Sequence, residues 1–178
     1  MSGHSKWSQI KRQKGVADQK KGQVFSKLSK FISMAARKGI DPDKNIELKN
    51  AIEKARSLNM PKESIERSLK RVGEKDLAQL EELLVEAIGP ESVNIIITAV
   101  TDNKNRTIGA IKNILSKYEA KMAQSGSVMW AFEKNGSGFT AKYPTSIKNQ
   151  NTKDKLDKLF EELDSNEDVQ EIYDNIGN

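Results

Sequence analysis

Apolar positions recur at helical spacing through the first half of the chain. From about Asp18 to Lys38, placing residues at ~100° per step puts Val24, Phe25, Leu28, Phe31, Ile32, Ala35 and Ala36 within about 20–160° of Lys20. Lys20, Lys27, Lys30, Arg37 and Lys38 fall between about −100° and 0°. One helix thus offers an apolar face to a core and a cationic sector beside it. Gly39 ends it. Asp41-Pro42-Asp43 is a turn, and a second helix is expected from Asn45 to about Leu58, with Ile46, Ala51, Ile52, Ala55 and Leu58 inward. Its surface mixes Glu47, Lys49, Glu53, Lys54 and Arg56. Pro61 suits the first turn of a third helix to about Val72, carrying Ile65, Leu69 and Val72. This unit has few large apolar residues and should lean on residues 1–16 or on the next domain. Residues 1–16 read as an arm anchored by Trp7 and Ile10, with Gly15 and Gly22 weakening any continuous helix.

After Gly73 the period changes. Glu82–Ile88 alternates around Leu84 and stops at Gly89-Pro90; Val93–Val100 is rich in β-branched residues and predicts a buried strand. Thr107–Tyr118 is helical. Ser125-Gly126-Ser127 turns into a strand, Val128–Glu133, with Trp130 and Phe132. Asn135-Gly136-Ser137-Gly138 signals a hairpin returning through Phe139–Tyr143. Asn149–Lys153 reads as polar loop, Lys155–Leu163 as helix and Val169–Tyr173 as a last strand. From Val93 onward the order is strand, helix, strand, strand, helix, strand, the ferredoxin-like order of an antiparallel sheet with two helices on one face. The fold expected is α+β: a basic arm and three-helix domain over 1–75, then a ferredoxin-like α/β domain over 76–178 with an extra edge strand near residue 84.

Charge sharpens this division. Residues 1–38 hold ten Lys/Arg and one acid, Asp18. Residues 1–73 carry 18 basic and 7 acidic residues, and 74–178 carry 12 and 18. The overall +5 therefore hides a basic front and an acidic back. A polyanionic partner, most simply nucleic acid, fits such a front; a solvated charged helix is the plainer alternative. Mere solubility would mix signs on the outer face of the first helix, and here they are not mixed. With no Cys and one His, disulfides, Cys nucleophiles and clustered metal sites have nothing to stand on. No apolar run approaches the ~20 residues of a membrane span, and the basic N-terminus lacks the apolar stretch of a secretory signal. A cytoplasmic chain without cofactor is expected.

The candidate contacts follow. Lys6, Lys11, Arg12, Lys14, Lys20, Lys21, Lys27, Lys30, Arg37 and Lys38 would neutralise phosphates, and His4 with Ser2, Ser5 and Lys6 offers hydrogen bonds to them. Trp7 either stacks on a base or pins the arm to the helices. In Asp102-Asn103-Lys104-Asn105-Arg106-Thr107, Asp102 or Asn103 can cap a helix, leaving N–H groups and two cations facing one place. Asn103, Lys104, Arg106 and Thr107 thus make a second candidate phosphate contact, against the plainer reading of cap and loop. There is no Gly-rich phosphate cradle. The adjacent carboxylates Glu81/Glu82 and Glu161/Glu162 do not converge as acid–base pairs, and no nucleophile–base constellation stands out, so no enzyme is expected.

Several of these stretches occur together elsewhere. Ser2-Gly3-His4-Ser5-Lys6-Trp7 resembles the gly-his-ser-lys-trp start of the YebC/PmpR family. Asp102-Asn103-Lys104-Asn105-Arg106-Thr107 resembles its asp-asn-x-asn-arg-thr motif. Gly126-Ser127-Val128 and Asp168-Val169-Gln170-Glu171-Ile172-Tyr173 resemble its gly-ser-val and asp-asp-val-gln-x-val-tyr elements. The resemblance implies a DNA-binding transcriptional regulator, or a ribosome-associated translation factor easing difficult nascent sequences such as proline runs, without catalysis. Family members usually carry a third domain inserted in the second; here the short hairpin before Tyr143 stands in its place, a short form lacking that insertion. A protein-interaction adaptor built on the acidic domain is a further alternative. The acidic domain is expected to position the basic surface, its own acidic face turned away from the polyanion. Sequence specificity and oligomeric state stay open.

Overall fold

In the computed structural model, residues 18–73, 79–136 and 138–177 are described, with the side chains of 18–20 and 73 set aside. Helix α1 runs over Asp18–Ala36, α2 over Ile46–Ser57 and α3 over Lys62–Lys70, followed by a 3-10 turn at Arg71–Gly73. The expected apolar stripe of α1 is the buried one: Leu28, Ile32, Ala35 and Ala36 pack with Leu48, Ala51, Ile52, Ala55, Met60 and Ile65. Ile46, expected inward, is 68% exposed, because it lies roughly opposite the buried face of Leu48, Ala51, Ile52 and Ala55 around α2. Asn45 starts α2 by accepting from the Leu48 N–H at 3.1 Å, while its amide donates to the carbonyls of Ala35 and Gly39. One buried side chain thus closes α1 and opens α2.

The α/β domain begins with β1 (Glu81–Ile88) and β2 (Asn94–Thr101), antiparallel in register from Glu81↔Thr101 to Ile88↔Asn94. Helix α4 (Lys104–Lys117), the two-residue β3 (Lys121–Met122), β4 (Phe132–Asn135), β5 (Gly138–Ala141), α5 (Gln150–Asp164) and β6 (Val169–Asp174) follow. The main sheet has the order β3-β1-β2-β6, every pairing antiparallel. Both helices lie on one face: Ile111 and Leu115 of α4 and Leu156, Leu159, Phe160 and Leu163 of α5 pack with Val85, Ala87, Ile95, Ile97, Val169 and Ile172. The expected α+β chain, helices first and then an antiparallel sheet layered against two helices, is the one observed. Strand β2 is buried on both sides, which explains its near-continuous β-branched run. Ile95 and Ile97 face the helices. Ile96 instead meets Val128, Ala131 and Phe132, and Val100 meets Leu80 and Met34 of α1. Each such side chain contributes about 1.5–3 kcal/mol by leaving water.

Three expectations need correcting. The strand near residue 84 is not the edge. Strand β1 pairs along its whole length with β2 and carries β3 on its other side. Residues 128–131 are not strand: Gly126 has φ +86°, Met129–Ala131 is a 3-10 turn, and the strand begins only at Phe132. The cause is Glu86 on β1. Its buried carboxylate accepts the N–H groups of Gly126, of Val128 at 2.8 Å and of Met129 at 3.2 Å, removing them from any ladder. Strands β4 and β5 therefore pair with each other as a separate two-stranded sheet on the face away from the helices. Finally, 150–153 is helical, because Asn149 caps α5 by accepting from the Asn151 N–H at 2.9 Å.

Candidate nucleic-acid interface and the interdomain cleft

The middle of the basic sector of α1, at Lys27 and Lys30, does not face solvent freely. It lies against the acidic end of the α/β domain. Lys27 is buried and donates through Nζ to the Asp164 carbonyl, with the Asp164 carboxylate 3.7 Å away. Lys30 Nζ stands 3.1 Å from Asp168 Oδ1. Lys54 of α2 pairs with Glu171 of β6. Arg37 donates to the Leu80 carbonyl at 2.8 Å, and Lys38 pairs with Glu47 at 2.7 Å. Opposite charge across the domain boundary accounts for Lys27 and Lys30 on the outer face of α1. Acidic residues of the α/β domain are thus docked on the basic sector of α1. Of the expected phosphate contacts, Lys27, Lys30, Arg37 and Lys38 are engaged within the chain. Lys21 is exposed at the start of α1. His4, Lys6, Trp7, Lys11, Arg12 and Lys14 lie outside the described residues, as does the Lys20 side chain.

The second expected contact has a definite geometry. Asn103 is the N-cap of α4: its Oδ1 accepts the Arg106 N–H at 3.0 Å. Helical spacing then brings Arg106 and Thr107 to the side facing β6. Arg106 Nη2 reaches Asp102 Oδ1 at 2.7 Å and Asp168 Oδ2 at 2.9 Å. The buried Thr107 hydroxyl donates to the same Asp168 oxygen at 2.7 Å. Lys104 turns the other way, to Glu81. The cap-and-loop reading therefore describes Asn103, and the motif's cation and hydroxyl serve an internal carboxylate.

Asp168, which the sequence marked only as the start of a family-like stretch and not as a site residue, is the hub. Its residue is 6% exposed, and it gathers Lys30 from the first domain and Arg106 and Thr107 from α4. Burial pushes its carboxyl up. The hydrogen bonds from Arg106, Thr107 and Lys30, with the Lys30 charge, outweigh burial and hold it below the usual carboxylate range. A signal was present: an Asp immediately before an apolar strand, in a chain whose first helix has unopposed cations. Nothing local told that the two would meet.

Around this hub the two domains leave a cleft of about 660 Å³. Ser26, Ser29 and Lys30 of α1 form one wall, and Arg106, Thr107 and Asp168 the other. Ser29 and Ser68 share a hydrogen bond at 2.7 Å, so part of the polar lining is satisfied internally. Cations and carboxylates are balanced here. The cleft thus reads as a domain junction rather than a cationic groove. No helix among the described residues is long and apolar enough to cross a membrane.

Comparison with known proteins decides the relationship. Residues 5–75 match the TACO1/YebC protein N-terminal domain, and 80–142 the TACO1/YebC second and third domain. The chain belongs to the TACO1/YebC family. Relatives in this family include a probable transcriptional regulatory protein of Petrotoga mobilis, 46% identical over 76% of this chain and 55% of its own length. One from Chloroherpeton thalassium is 48% identical over 80% and 58%. One from Dictyoglomus turgidum is 42% identical over 97% and 70%. The chain thus spans little more than half the length of the first two. Among solved structures, the conserved hypothetical protein Aq1575 from Aquifex aeolicus superposes with a TM-score of 0.79 at 25% identity, covering 90% of this chain and 91% of that one. The family's naming is regulatory, and the match spans both the helical and the α/β domain.

Proposed function

We propose that this protein is a non-enzymatic, nucleic-acid-binding regulator of gene expression, and that it binds DNA through its N-terminal basic segment. The observation that carries this is the one-signed charge of the N-terminal segment. Lys27 and Lys30 of α1, and Arg37 and Lys38 just after it, have intramolecular carboxylate or carbonyl partners. Lys6, Lys11, Arg12, Lys14, Lys20 and Lys21 make a dense basic run in which Asp18 is the one acid of the first 38 residues. These six, with His4 and Trp7, are the proposed contacts. Naming of relatives as probable transcriptional regulatory proteins supports the regulatory role.

Structured RNA, including ribosomal RNA, is the second target, and one observation favours it. The outward faces of α2 and α3 mix signs: Glu47, Lys49, Glu53, Arg56 on one, Lys62, Glu63, Glu66, Arg67 on the other. Neither presents the one-signed, base-reading helix of a major-groove binder. Reading of backbone and shape suits RNA better. Footprinting on promoter DNA against ribosome co-sedimentation separates the two. Binding to either that is insensitive to salt overturns the electrostatic basis of the proposal.

A further inference from the structure

Trp130 is a large aromatic that the fold does not use. It is 60% exposed, and its neighbour Tyr143 is 51% exposed. Single exposed aromatics are common on protein surfaces and need no explanation. Four features set this one apart. The indole Nε1 donates to the Ser127 carbonyl at 2.9 Å, so the ring's one polar group is satisfied internally. What the ring offers outward is its π surface. The turn beneath is fixed by the Glu86 carboxylate, which holds the N–H groups of Gly126, Val128 and Met129. The Tyr143 ring stands 5.8 Å from the indole at 37°, making a two-ring step. Lys142, whose own backbone is tied to Ala131 at 2.8 Å, places Nζ 5.4 Å from the Tyr143 centroid.

A rigid π surface with a cation at its rim fits a ligand that is flat, aromatic and anionic beside the ring. A nucleobase with its phosphate has those properties. Base stacking on Trp or Tyr does not depend on sequence, because every base has a π face, and Lys142 supplies the charge partner for the backbone. Because the ring is already held, little side-chain entropy is lost on stacking. A base inside a duplex cannot reach such a platform, so the ligand is an unpaired one.

We infer that Trp130 and Tyr143, with Lys142, form a stacking site for an unpaired base of single-stranded nucleic acid, on the α/β domain and separate in sequence from the basic arm. The inference rests on the nucleic-acid reading above and adds a second contact to it. The chain has two Trp residues, so the full chain carrying Trp7→Phe has Trp130 as its one indole. In that background, short oligouridine and oligothymidine strands and a duplex are titrated while fluorescence is followed. The expected result is saturable quenching by the single strands. By anisotropy of labelled strands added to the chain with Trp7 intact, Trp130→Ala should weaken single-strand binding about five- to a hundredfold, Trp130→Phe should retain most of it, and duplex affinity should stay within twofold. Tighter binding of oligouridine assigns the site to RNA, and equal binding to either sugar; both support it. An unchanged urea midpoint for Trp130→Ala shows that the loss is not unfolding. No quenching, together with unchanged single-strand affinity in Trp130→Ala, overturns the stacking site even while duplex or structured RNA still binds through the arm. Failure of the full chain to bind any nucleic acid overturns both. Quenching by a proline-rich peptide but by no oligonucleotide assigns the rings to a protein partner and also overturns it.

Discussion

Removing the Asp168 carboxylate tests whether opposite charge holds the two domains together. In Asp168→Ala, Lys30 loses a partner at 3.1 Å, Arg106 one at 2.9 Å and Thr107 one at 2.7 Å. Summing these as independent bonds to a charged group would overshoot, because their partners survive unequally. Thr107 Oγ1 keeps Thr101 Oγ1 at 2.8 Å, and Arg106 keeps Asp102. The Lys30 and Arg106 side chains are 28% and 55% exposed and rehydrate. Breaking a fully buried pair costs about 3–5 kcal/mol, so a cost of about 2–3 kcal/mol is expected for this partly wet one. For a chain of this size that lowers the melting midpoint by roughly 4–12 °C. The pH dependence fixes the mechanism. A carboxyl held below its ordinary range stabilises the fold fully above its unfolded value, about 3.9, and loses that contribution as pH falls through the lower folded value. The gap between wild type and Asp168→Ala should therefore be constant from neutral pH to about pH 5 and shrink below about pH 4. Urea unfolding of both proteins across that range provides the assay, with Lys30→Met and the double variant completing a cycle. A gap unchanged into strong acid would show that packing, not charge, is lost. Additivity of the two substitutions within about 0.5 kcal/mol would show that Lys30 and Asp168 do not couple the domains.

Three further outcomes are expected. Each neutral substitution among Lys6, Lys11, Arg12 and Lys14 should lower the slope of log affinity against log salt by about 0.7–0.9, whereas Lys30→Gln should leave the slope unchanged and lower stability; filter binding at several salt concentrations checks both. Glu86→Ala should cost about 2–4 kcal/mol in urea unfolding, since it strands three backbone N–H groups, and Glu86→Gln, which keeps an acceptor, should cost less. Phe160→Ala, emptying a site between α5 and the sheet that is 1% exposed, should cost about 3–5 kcal/mol. Its nucleic-acid affinity, measured where the variant is still folded, should be unchanged.

The sequence by itself determined the local elements. The buried face of α1 from Leu28 to Ala36, the double burial of β2 and the apolar stripe of α5 from Leu156 to Leu163 all follow from period and composition, because a side chain's face is fixed by its place in a helix or strand. Asn103 as a cap was legible for the same reason: the bond it makes spans three residues. Only the tertiary structure decided what the charges do. Lys30 and Asp168 are 138 residues apart, and Glu86 is 40 or more from the amides it binds. A one-signed helix face looks the same in sequence whether its counter-charge is a phosphate or a distant carboxylate of the same chain. Coulomb attraction depends on distance in space, and only the packing of α1 against β6 brought that carboxylate within reach.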